Sequence, residues 1–353
     1  MSLSKQLIIW YKKHQRNLPF RETKDAYKIW LSEIILQQTR VEQGLPYYYR
    51  FTEKFPNVFS LAQASQEEVL KLWQGLGYYS RGRNLHEAAN SVVKNYNGVF
   101  PANYHKLLQL KGVGAYTAAA IASFAFNMPH AVVDGNVSRV LSRLFAVNNA
   151  INSSAGKKIM EELAEEVMDK KHVALHNYAM MELGALVCKP KNPLCEQCPL
   201  SGFCMAFKQK TQALFPVKDK KSKVQDRFFF YFVIESRNKF YIKKRTNKDI
   251  WHNLYDFPLI ETPAKVSALH VMQSDAFKKV FNGLSFKIVS VSEEYLHQLT
   301  HRNVHAVFIH LKIKSAFNKK LTSDWILISL DQLHEKYALP RLIEKYVNKL
   351  AVG

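Results

Sequence analysis

The stretch LQLKGVGAYTAAAIASFAF, residues 108–126, places two glycines between a short apolar segment and an alanine-rich segment of helical character. Because glycine lacks a Cβ, the backbone N–H groups around Gly112 and Gly114 can approach a ligand closely. The helix that follows would present the positive end of its dipole at the same place. The pattern predicts a turn between two helices that binds an anion such as a phosphate, although a lone pair of glycines is also typical of an ordinary tight turn.

A carboxylate follows this hairpin in the stretch AVVDGNVSRVLSRLF, residues 131–145. Asp134 ends an apolar run and begins a predicted helix. Aspartate is a favourable N-cap, and Asp-Gly-Asn is common in turns, so a purely structural role explains the residue on its own. Capping and chemistry can coexist in one carboxylate, and both interpretations stay open at this point.

A second acid lies in YKIWLSEIILQQTRV, residues 27–41. On a helix, Glu33 has apolar neighbours one turn before it and, in Leu36, one turn after it. Burial in such surroundings raises the pKa of a carboxyl group, and an acid that stays protonated near neutral pH can act as a general acid. The alternative is an ordinary exposed glutamate beside Ser32.

All four cysteines lie within seventeen positions, in a C-x6-C-x2-C-x5-C pattern formed by Cys188, Cys195, Cys198 and Cys204. Clustered thiols in a cytosolic protein indicate metal or cluster ligands rather than disulfides. A zinc site usually shows two C-x-x-C pairs, and this segment has one. The intervening prolines suit an irregular loop, so the spacing favours an iron–sulfur cluster over zinc, without excluding zinc.

The composition points to a polyanionic partner. The chain has 353 residues, a formal net charge of +21 and 47% hydrophobic residues. A basic excess spread over both halves favours binding to nucleic acid. The amino terminus lacks the features of a signal peptide, and no apolar run reaches the roughly 20 residues of a membrane span. We therefore expect a cytoplasmic protein with no membrane partner.

The pattern of apolar and polar residues changes near residue 213. Helical periodicity dominates the first part, so we expect an all-α domain over residues 1–212. The lysine-rich stretch FPVKDKKSKVQDR predicts a linker over residues 213–226. Beyond it, short aromatic and β-branched runs predict strands, with a helix near residues 264–280 and another near 340–350. Residues 227–353 are therefore expected to form an α+β domain.

Taken together, these motifs resemble the endonuclease III superfamily of DNA glycosylases. The cysteine spacing is similar to that of its 4Fe–4S loop, and LKGVG followed by a helix is similar to its helix-hairpin-helix motif. The stretches SEIILQQTRV, GLGYYSRGRNLH and VDGNVSRVLSRLF resemble the adenine DNA glycosylase, or MutY, branch. The resemblance implies an all-α helix-hairpin-helix glycosylase domain with an Fe–S cluster loop at residues 188–204, followed by an α+β Nudix-like domain.

The resemblance also implies a mechanism. Glu33 would protonate the departing adenine and Asp134 would stabilise the cationic sugar, as two carboxyl groups do in glycosidases. Bifunctional relatives carry a nucleophilic lysine on the hairpin helix, where this chain has Tyr116, so lyase activity is expected to be weak or absent. The other implied site residues are Arg21, Tyr116 and Asn136 in the base pocket, Gln38 and Tyr78 as wedges in the DNA, and Gly112 and Gly114 on its backbone.

The second domain resembles the part of MutY proteins that recognises 8-oxoguanine. IWHNLYDFPLIE (250–261) is similar to a strand and turn of this domain, and YLHQLTHRNVHAVF (295–308) to the segment that probes the oxidised base. Thr300 and His301 are the expected contacts, and Leu299 replaces the usual phenylalanine. The glutamate-rich helix that holds magnesium in Nudix hydrolases is missing from the sequence, so hydrolysis of nucleoside diphosphates is not expected.

The resemblance as a whole predicts a base-excision repair enzyme. We expect it to remove adenine mispaired with 8-oxoguanine or guanine in double-stranded DNA, and to be a monomer associated with the bacterial nucleoid. One alternative is an endonuclease III-like enzyme with lyase action on oxidised pyrimidines. The other is a non-enzymatic DNA-binding protein, which would need neither Glu33 nor Asp134.

Overall fold

The structure is a computed structural model that describes residues 2–219, 224–281, 284–314 and 324–350. The chain divides into two compact units, which we call the helical unit, residues 1–63 with 84–220, and the mixed unit, residues 64–83 with 221–353. Part of the predicted linker, residues 220–223, lies outside the described residues.

The described residues up to 219 form helices and turns without a strand, as the sequence predicts for this part of the chain. The α-helices are α1 (Leu3–His14), α2 (Ala26–Leu36), α3 (Val41–Lys54), α4 (Val58–Gln63), α5 (Gln66–Trp73), α6 (Tyr79–Tyr96), α7 (Tyr104–Leu108), α8 (Ala115–Phe126), α9 (Gly135–Leu144), α10 (Ser154–Val167), α11 (Val173–Leu186) and α12 (Met205–Lys208). Short 3-10 turns occur at Pro19–Arg21, Cys195–Gln197, Ser201–Phe203 and Gln212–Leu214.

Helix α8 forms the centre of the helical unit. Residues Thr117–Phe124 are buried without interruption. The alanines in this stretch let the neighbouring helices approach closely, and α8 packs against α2, α7 and α11. Because α2 carries Glu33 and α8 carries Tyr116, this close packing fixes the distance between the two side chains.

The glycine turn predicted from the sequence joins α7 to α8. Gly112 has a φ of +75°, in the left-handed region, and a Cβ at this position would lie 2.8 Å from the Cβ of Asn84. Gly114 is the N-cap of α8 and provides no side-chain cap. The first amides of α8 are therefore left for another acceptor, which is what an anion-binding hairpin requires.

The mixed unit contains an eight-stranded sheet in its described residues, with the path β3-β2-β1-β7-β5. Strands β4, β6 and β8 pair with β1, β7 and β2, respectively, and the long pair of β1 and β7 is parallel. Its elements are β1 (Gln225–Ser236), β2 (Lys239–Lys244), β3 (Tyr255–Asp256), β4 (Leu259–Thr262), α13 (Ala268–Gln273), α14 (Asp275–Phe281), β5 (Phe286–Val291), β6 (Tyr295–Gln298), β7 (Arg302–Ile313), β8 (Trp325–Ile328), α15 (Leu330–Lys336) and α16 (Arg341–Leu350).

The predicted helix near residues 264–280 is in fact two helices. Ser274 ends α13 with an extended backbone, and its hydroxyl accepts from the amide of Phe277 in the first turn of α14. Serine favours such a break because its side chain can replace a backbone partner. The helix predicted near residues 340–350 is present as α16, whereas β5 and α15 were not anticipated from the sequence.

In the part of the chain that the structure describes, no helix is long and apolar enough to cross a membrane.

Candidate active site and cluster loop

One cavity in the helical unit brings together residues from three separate parts of the sequence. Its volume is about 610 Å³, which is large enough for a small ligand. The predicted site residues that line it are Glu33, Gln38, Gly112, Gly114, Tyr116 and Asp134. The two acids that the sequence singled out therefore face one space, beside the glycines of the hairpin.

Glu33 lies on α2 with only 7% of its surface exposed. The hydroxyl of Tyr116 donates a hydrogen bond of 2.6 Å to its Oε2. Burial raises the pKa of Glu33 to about 7; the negative charge of Asp134 adds to this effect, while the Tyr116 bond and the positive charge of Arg21 oppose it. A large fraction of Glu33 is therefore protonated near neutral pH, as a general acid requires.

Asp134 is the N-cap of α9. Its Oδ1 accepts from the amide of Val137 at 2.7 Å, and its Oδ2 accepts from Nδ2 of Asn136 at 2.8 Å. Burial raises the pKa of Asp134 above its ordinary value, and these donors reduce that rise without reversing it. N–H donors and the positive helix end both favour a carboxylate, so Asp134 is better suited than Glu33 to carry the negative charge.

Asn136 also connects the site to a buried arginine. Its Oδ1 accepts from Nη2 of Arg139 at 2.8 Å. The same guanidinium donates to the carbonyl oxygens of Gly184 and Cys188, each at 2.8 Å. The start of α9 is thus held against α11 and Cys188. These residues are distant in the sequence, so the sequence pattern did not predict the link.

Arg21 approaches the site from the 3-10 turn Pro19–Arg21. Its side chain is 8% exposed, and Nη2 lies 2.8 Å from Oε2 of the fully buried Glu182. Arg16 pairs with both oxygens of the same carboxylate. Burial works against ionisation of Glu182, but the two arginines prevail and lower its pKa to about 2. Glu182 is therefore an ionised anchor for Arg21.

Sequence reasoning missed Glu182. The signal was an acid in the middle of the apolar run YAMMELGALV, which has no polar partner nearby in the sequence. Tyr178, on the same helix, was missed as well: it stacks on Phe124 with ring centroids 3.9 Å apart, and the guanidinium of Arg21 lies 5.4 Å from its ring centre. Both residues help to fix Arg21.

The four cysteines line a single cavity at the end of the helical unit, together with apolar residues and Arg143. Four cysteine thiols that line one cavity fit an iron–sulfur cluster, which is held by cysteine thiolates. Burial raises the pKa of the Cys198 thiol to about 12, so a bound cationic group is needed to keep it as a thiolate.

Arg143 joins the cysteine loop to α9. Its Nη1 donates to Sγ of Cys188 at 3.3 Å and to the carbonyl of Lys189 at 2.7 Å. Its Nε donates to the carbonyls of Gln212 and Phe215, each at 3.1 Å. This buried cation contacts the sulfur of Cys188, and such outer contacts orient and stabilise cluster ligands.

The remaining predicted residues, Tyr78, Thr300 and His301, belong to the mixed unit. The hydroxyl groups of Tyr78 and Thr300 are 2.8 Å apart. Tyr78 has a φ of +47° and a side chain that is 48% exposed. His301 is exposed, and its carbonyl accepts from the amide of Gln225 at 3.1 Å.

Three family models match the chain. The model described as HhH-GPD superfamily base excision DNA repair protein matches residues 31–169, and a NUDIX domain model matches residues 230–349. The iron-sulfur binding domain of endonuclease III matches residues 188–204. The cysteine segment is therefore an iron–sulfur binding loop. The fold and the site define a DNA glycosylase of the helix-hairpin-helix class, an enzyme that breaks the N-glycosyl bond of a base, followed by a Nudix domain.

Relatives narrow this class further. The chain is 33% identical over 345 residues to the adenine DNA glycosylase of Buchnera aphidicola subsp. Schizaphis graminum, and the match covers 96% of both chains. It is 45% identical over 209 residues to the adenine DNA glycosylase of Homo sapiens, covering 57% of this chain and 38% of that one. A thermostable thymine-DNA glycosylase superimposes with a TM-score of 0.54 at 30% identity, over 58% of this chain and 95% of that chain. The chain belongs to the adenine DNA glycosylase family.

Proposed function

We propose that this enzyme removes adenine mispaired with 8-oxoguanine or guanine from double-stranded DNA by hydrolysis of the N-glycosidic bond. Cleavage of this bond builds negative charge on the base and positive charge on the sugar. A protonated Glu33 neutralises the base by donating to adenine, at N7 by family resemblance, while ionised Asp134 stabilises the sugar. The observation that carries the proposal is that these two acids face one cavity, where burial raises the pKa of Glu33 to about 7 while Asp134 accepts hydrogen bonds from the start of α9.

The adenine has to leave the base stack before either acid can reach it. In the proposed complex, Gln38 and Tyr78 occupy the space left in the duplex. The amides near Gly112 and Gly114 hold the backbone without reading its sequence. Arg21 and Asn136 line the base pocket, and a water molecule completes the displacement.

Tyr116 supports hydrolysis without strand cleavage. Its hydroxyl contacts Glu33 and its burial raises the pKa of the phenol well above the usual value, so it is a neutral donor in the site. A phenol cannot form the Schiff base that a lyase needs. We therefore propose a monofunctional enzyme, or one with weak lyase activity.

Recognition of the partner base is assigned to Thr300 and His301. Both are exposed on the segment between β6 and β7, and Thr300 contacts Tyr78, so a wedge and a base reader lie side by side. We expect this pair to distinguish 8-oxoguanine from guanine opposite the adenine, with Leu299 in the place of an aromatic neighbour.

The cluster is proposed to be of the 4Fe–4S type, held by Cys188, Cys195, Cys198 and Cys204. When bound, it would supply a rigid inorganic core that braces a lysine-containing loop against DNA phosphates. We propose residues 1–212 as the glycosylase domain, 213–226 as linker and 227–353 as the recognition domain. The enzyme is proposed to act as a monomer in the bacterial cytoplasm, at the nucleoid.

The test is an excision assay on duplexes that contain one A:8-oxoguanine, A:G or A:T pair, each analysed with and without alkali. We expect alkali-dependent breakage at the adenine of the first two and none with A:T. Glu33→Gln should abolish excision while preserving binding, and the exposed Glu53 provides the matched control Glu53→Gln, which should cut normally. Breakage without alkali at an oxidised pyrimidine would favour a lyase instead, and retarded but intact DNA would favour a binding protein.

A further inference from the structure

Residues 64–83, which we call the docking segment, precede the hairpin in the sequence but pack with residues 221–353. Helix α5 begins this segment with a capping box between Ser65 and Glu68. At its first turn, Oε1 of Glu67 accepts from Nζ of Lys244 at 2.8 Å and from the hydroxyl of Tyr255 at 2.9 Å. The start of the segment is therefore attached to strands of the sheet.

Lys71, one turn after Glu67, donates hydrogen bonds to the carboxyl end of another helix. Its ammonium donates to the carbonyl of His334 at 2.5 Å and to the carbonyl of Tyr337 at 3.0 Å, and to Oε1 of Gln74 at 3.2 Å. The two carbonyls belong to the last turn and the C-cap of α15. Carbonyls at a helix C-terminus lack intrahelical partners and carry partial negative charge, so a lysine is a favourable cap there.

Gln74 and Tyr79 attach the end of α5 and the start of α6 to the following chain. Oε1 of Gln74 accepts from the amide of Leu339 at 3.2 Å, and its Nε2 donates to Oε1 of Glu344 at 2.8 Å. The hydroxyl of Tyr79 donates to the carbonyl of Leu339 at 2.9 Å. Lys71, Gln74 and Tyr79 thus hold both sides of a short turn.

That turn carries Tyr78. Gly75, Gly77 and Tyr78 have φ angles of +94°, +74° and +47°, so three of four consecutive residues adopt left-handed backbone. A left-handed tyrosine persists only where its surroundings over-determine it. The indole Nε1 of Trp73 donates to the carbonyl of Gly77 at 3.0 Å and closes the turn. Tyr78 then extends its hydroxyl to Thr300, 2.8 Å away.

We infer that Lys71 is a positioning residue for partner-base discrimination: by capping α15 it fixes the turn that holds Tyr78 against Thr300. The wedge tyrosine and the base reader then move as one body. This inference rests on the proposed function, because discrimination between 8-oxoguanine and guanine is the property that it explains. Lys71 is half-buried. The inference requires no contact between Lys71 and DNA or the reacting atoms.

The test compares Lys71→Met, Lys71→Arg and a matched charge control, Lys287→Met, in the full-length enzyme with its cluster. Lys287 is exposed on β5 of the same unit. The measured quantity is the ratio of kcat/KM for A:8-oxoguanine to that for A:G. Lys71→Met should lower the ratio about tenfold, as expected for the loss of a charged hydrogen bond. Lys71→Arg should recover much of it, and Lys287→Met should leave it unchanged.

A loss of folded protein would lower both rates equally and leave the ratio intact, so an unchanged ratio in Lys71→Met overturns the inference. A second measurement is the same substitution in a Tyr78→Ala background. If Lys71 acts through Tyr78, it should have no further effect on the ratio there; a full additional loss would contradict the inference. Failure of the proposed function is recognised separately, because the unaltered enzyme would then release no adenine from A:8-oxoguanine.

Discussion

Replacing Glu33 by glutamine should stabilise the enzyme at alkaline pH while abolishing its activity. Glu33 has an ordinary pKa of 4.5, and its burial in the folded protein raises this pKa to about 7. Between these values the unfolded chain releases the proton while the folded protein keeps it. Folding therefore becomes less favourable as the pH rises through this window. Glutamine keeps the shape of the side chain and still accepts the Tyr116 hydroxyl, but it has no proton to lose.

The size of the effect follows from the two pKa values. One unit of difference corresponds to about 1.4 kcal/mol, so the full penalty above pH 8 is about 3 kcal/mol. Below pH 4.5 the penalty disappears, because both states are then protonated. The advantage of Glu33→Gln over the unaltered enzyme should thus grow by about 2 kcal/mol between pH 5 and pH 8.

The assay is chemical unfolding of the helical unit, followed by far-UV circular dichroism at pH 5 and pH 8 for both proteins. Glu53→Gln is the control, because Glu53 is exposed and should give no pH-dependent difference. In parallel, the unaltered enzyme should lose its single-turnover rate above about pH 7, as the acid deprotonates. If the free energies of unfolding of Glu33→Gln and the unaltered enzyme run parallel with pH, Glu33 is not a buried protonated acid and the reasoning fails.

Two other substitutions test the surroundings of the site. Glu182→Gln should destabilise the enzyme by about 3 kcal/mol, because it leaves the buried Arg21 and the partly exposed Arg16 without their carboxylate. Urea unfolding measures this loss, and an unchanged midpoint would contradict the role of Glu182 as an anchor. Gly184→Ala should reduce excision more than it reduces folded protein, because its Cβ would lie 2.7 Å from the Cβ of Asn136. Excision and melting measurements on the variant and the unaltered enzyme check this. Unchanged activity of Gly184→Ala would count against a close fit at Asn136.

The sequence was sufficient to predict elements whose signal is local. The glycines at 112 and 114 predicted a turn before a helix, and the structure has this turn before α8. Asp134 was expected to begin a helix, and it is the N-cap of α9. The cysteine spacing identified the cluster loop in the same way, because all its ligands lie close in the chain. Such features depend on backbone freedom, capping and ligand spacing, which short segments encode.

Features that depend on distant partners could not be predicted. In the sequence, Glu182 is an isolated acid in an apolar helix. Its partners Arg16 and Arg21 follow α1 and are distant in the sequence, so only the fold shows the pairing. Arg139 and Arg143 look like the exposed basic side of an amphipathic helix, yet they are buried and donate to carbonyls and a thiol of the cysteine loop. A charge pattern on one helix carries no information on which partners the fold supplies.

The docking segment shows this limit most clearly. Its contacts place Tyr78 in the same unit as Thr300, and not in the unit that contains Glu33 and Asp134. In the sequence, Tyr78 lies in the part predicted to be helical, between the proposed catalytic residues Glu33 and Asp134. Its neighbours Lys71, Gln74 and Tyr79 instead contact the chain around residues 334–344. The proposed catalytic acids Glu33 and Asp134 thus belong to the helical unit, while Tyr78 and Thr300 share the mixed unit. It follows that substitutions in the docking segment should alter which mispair is processed, whereas substitutions around Glu33 should alter the rate for every mispair alike.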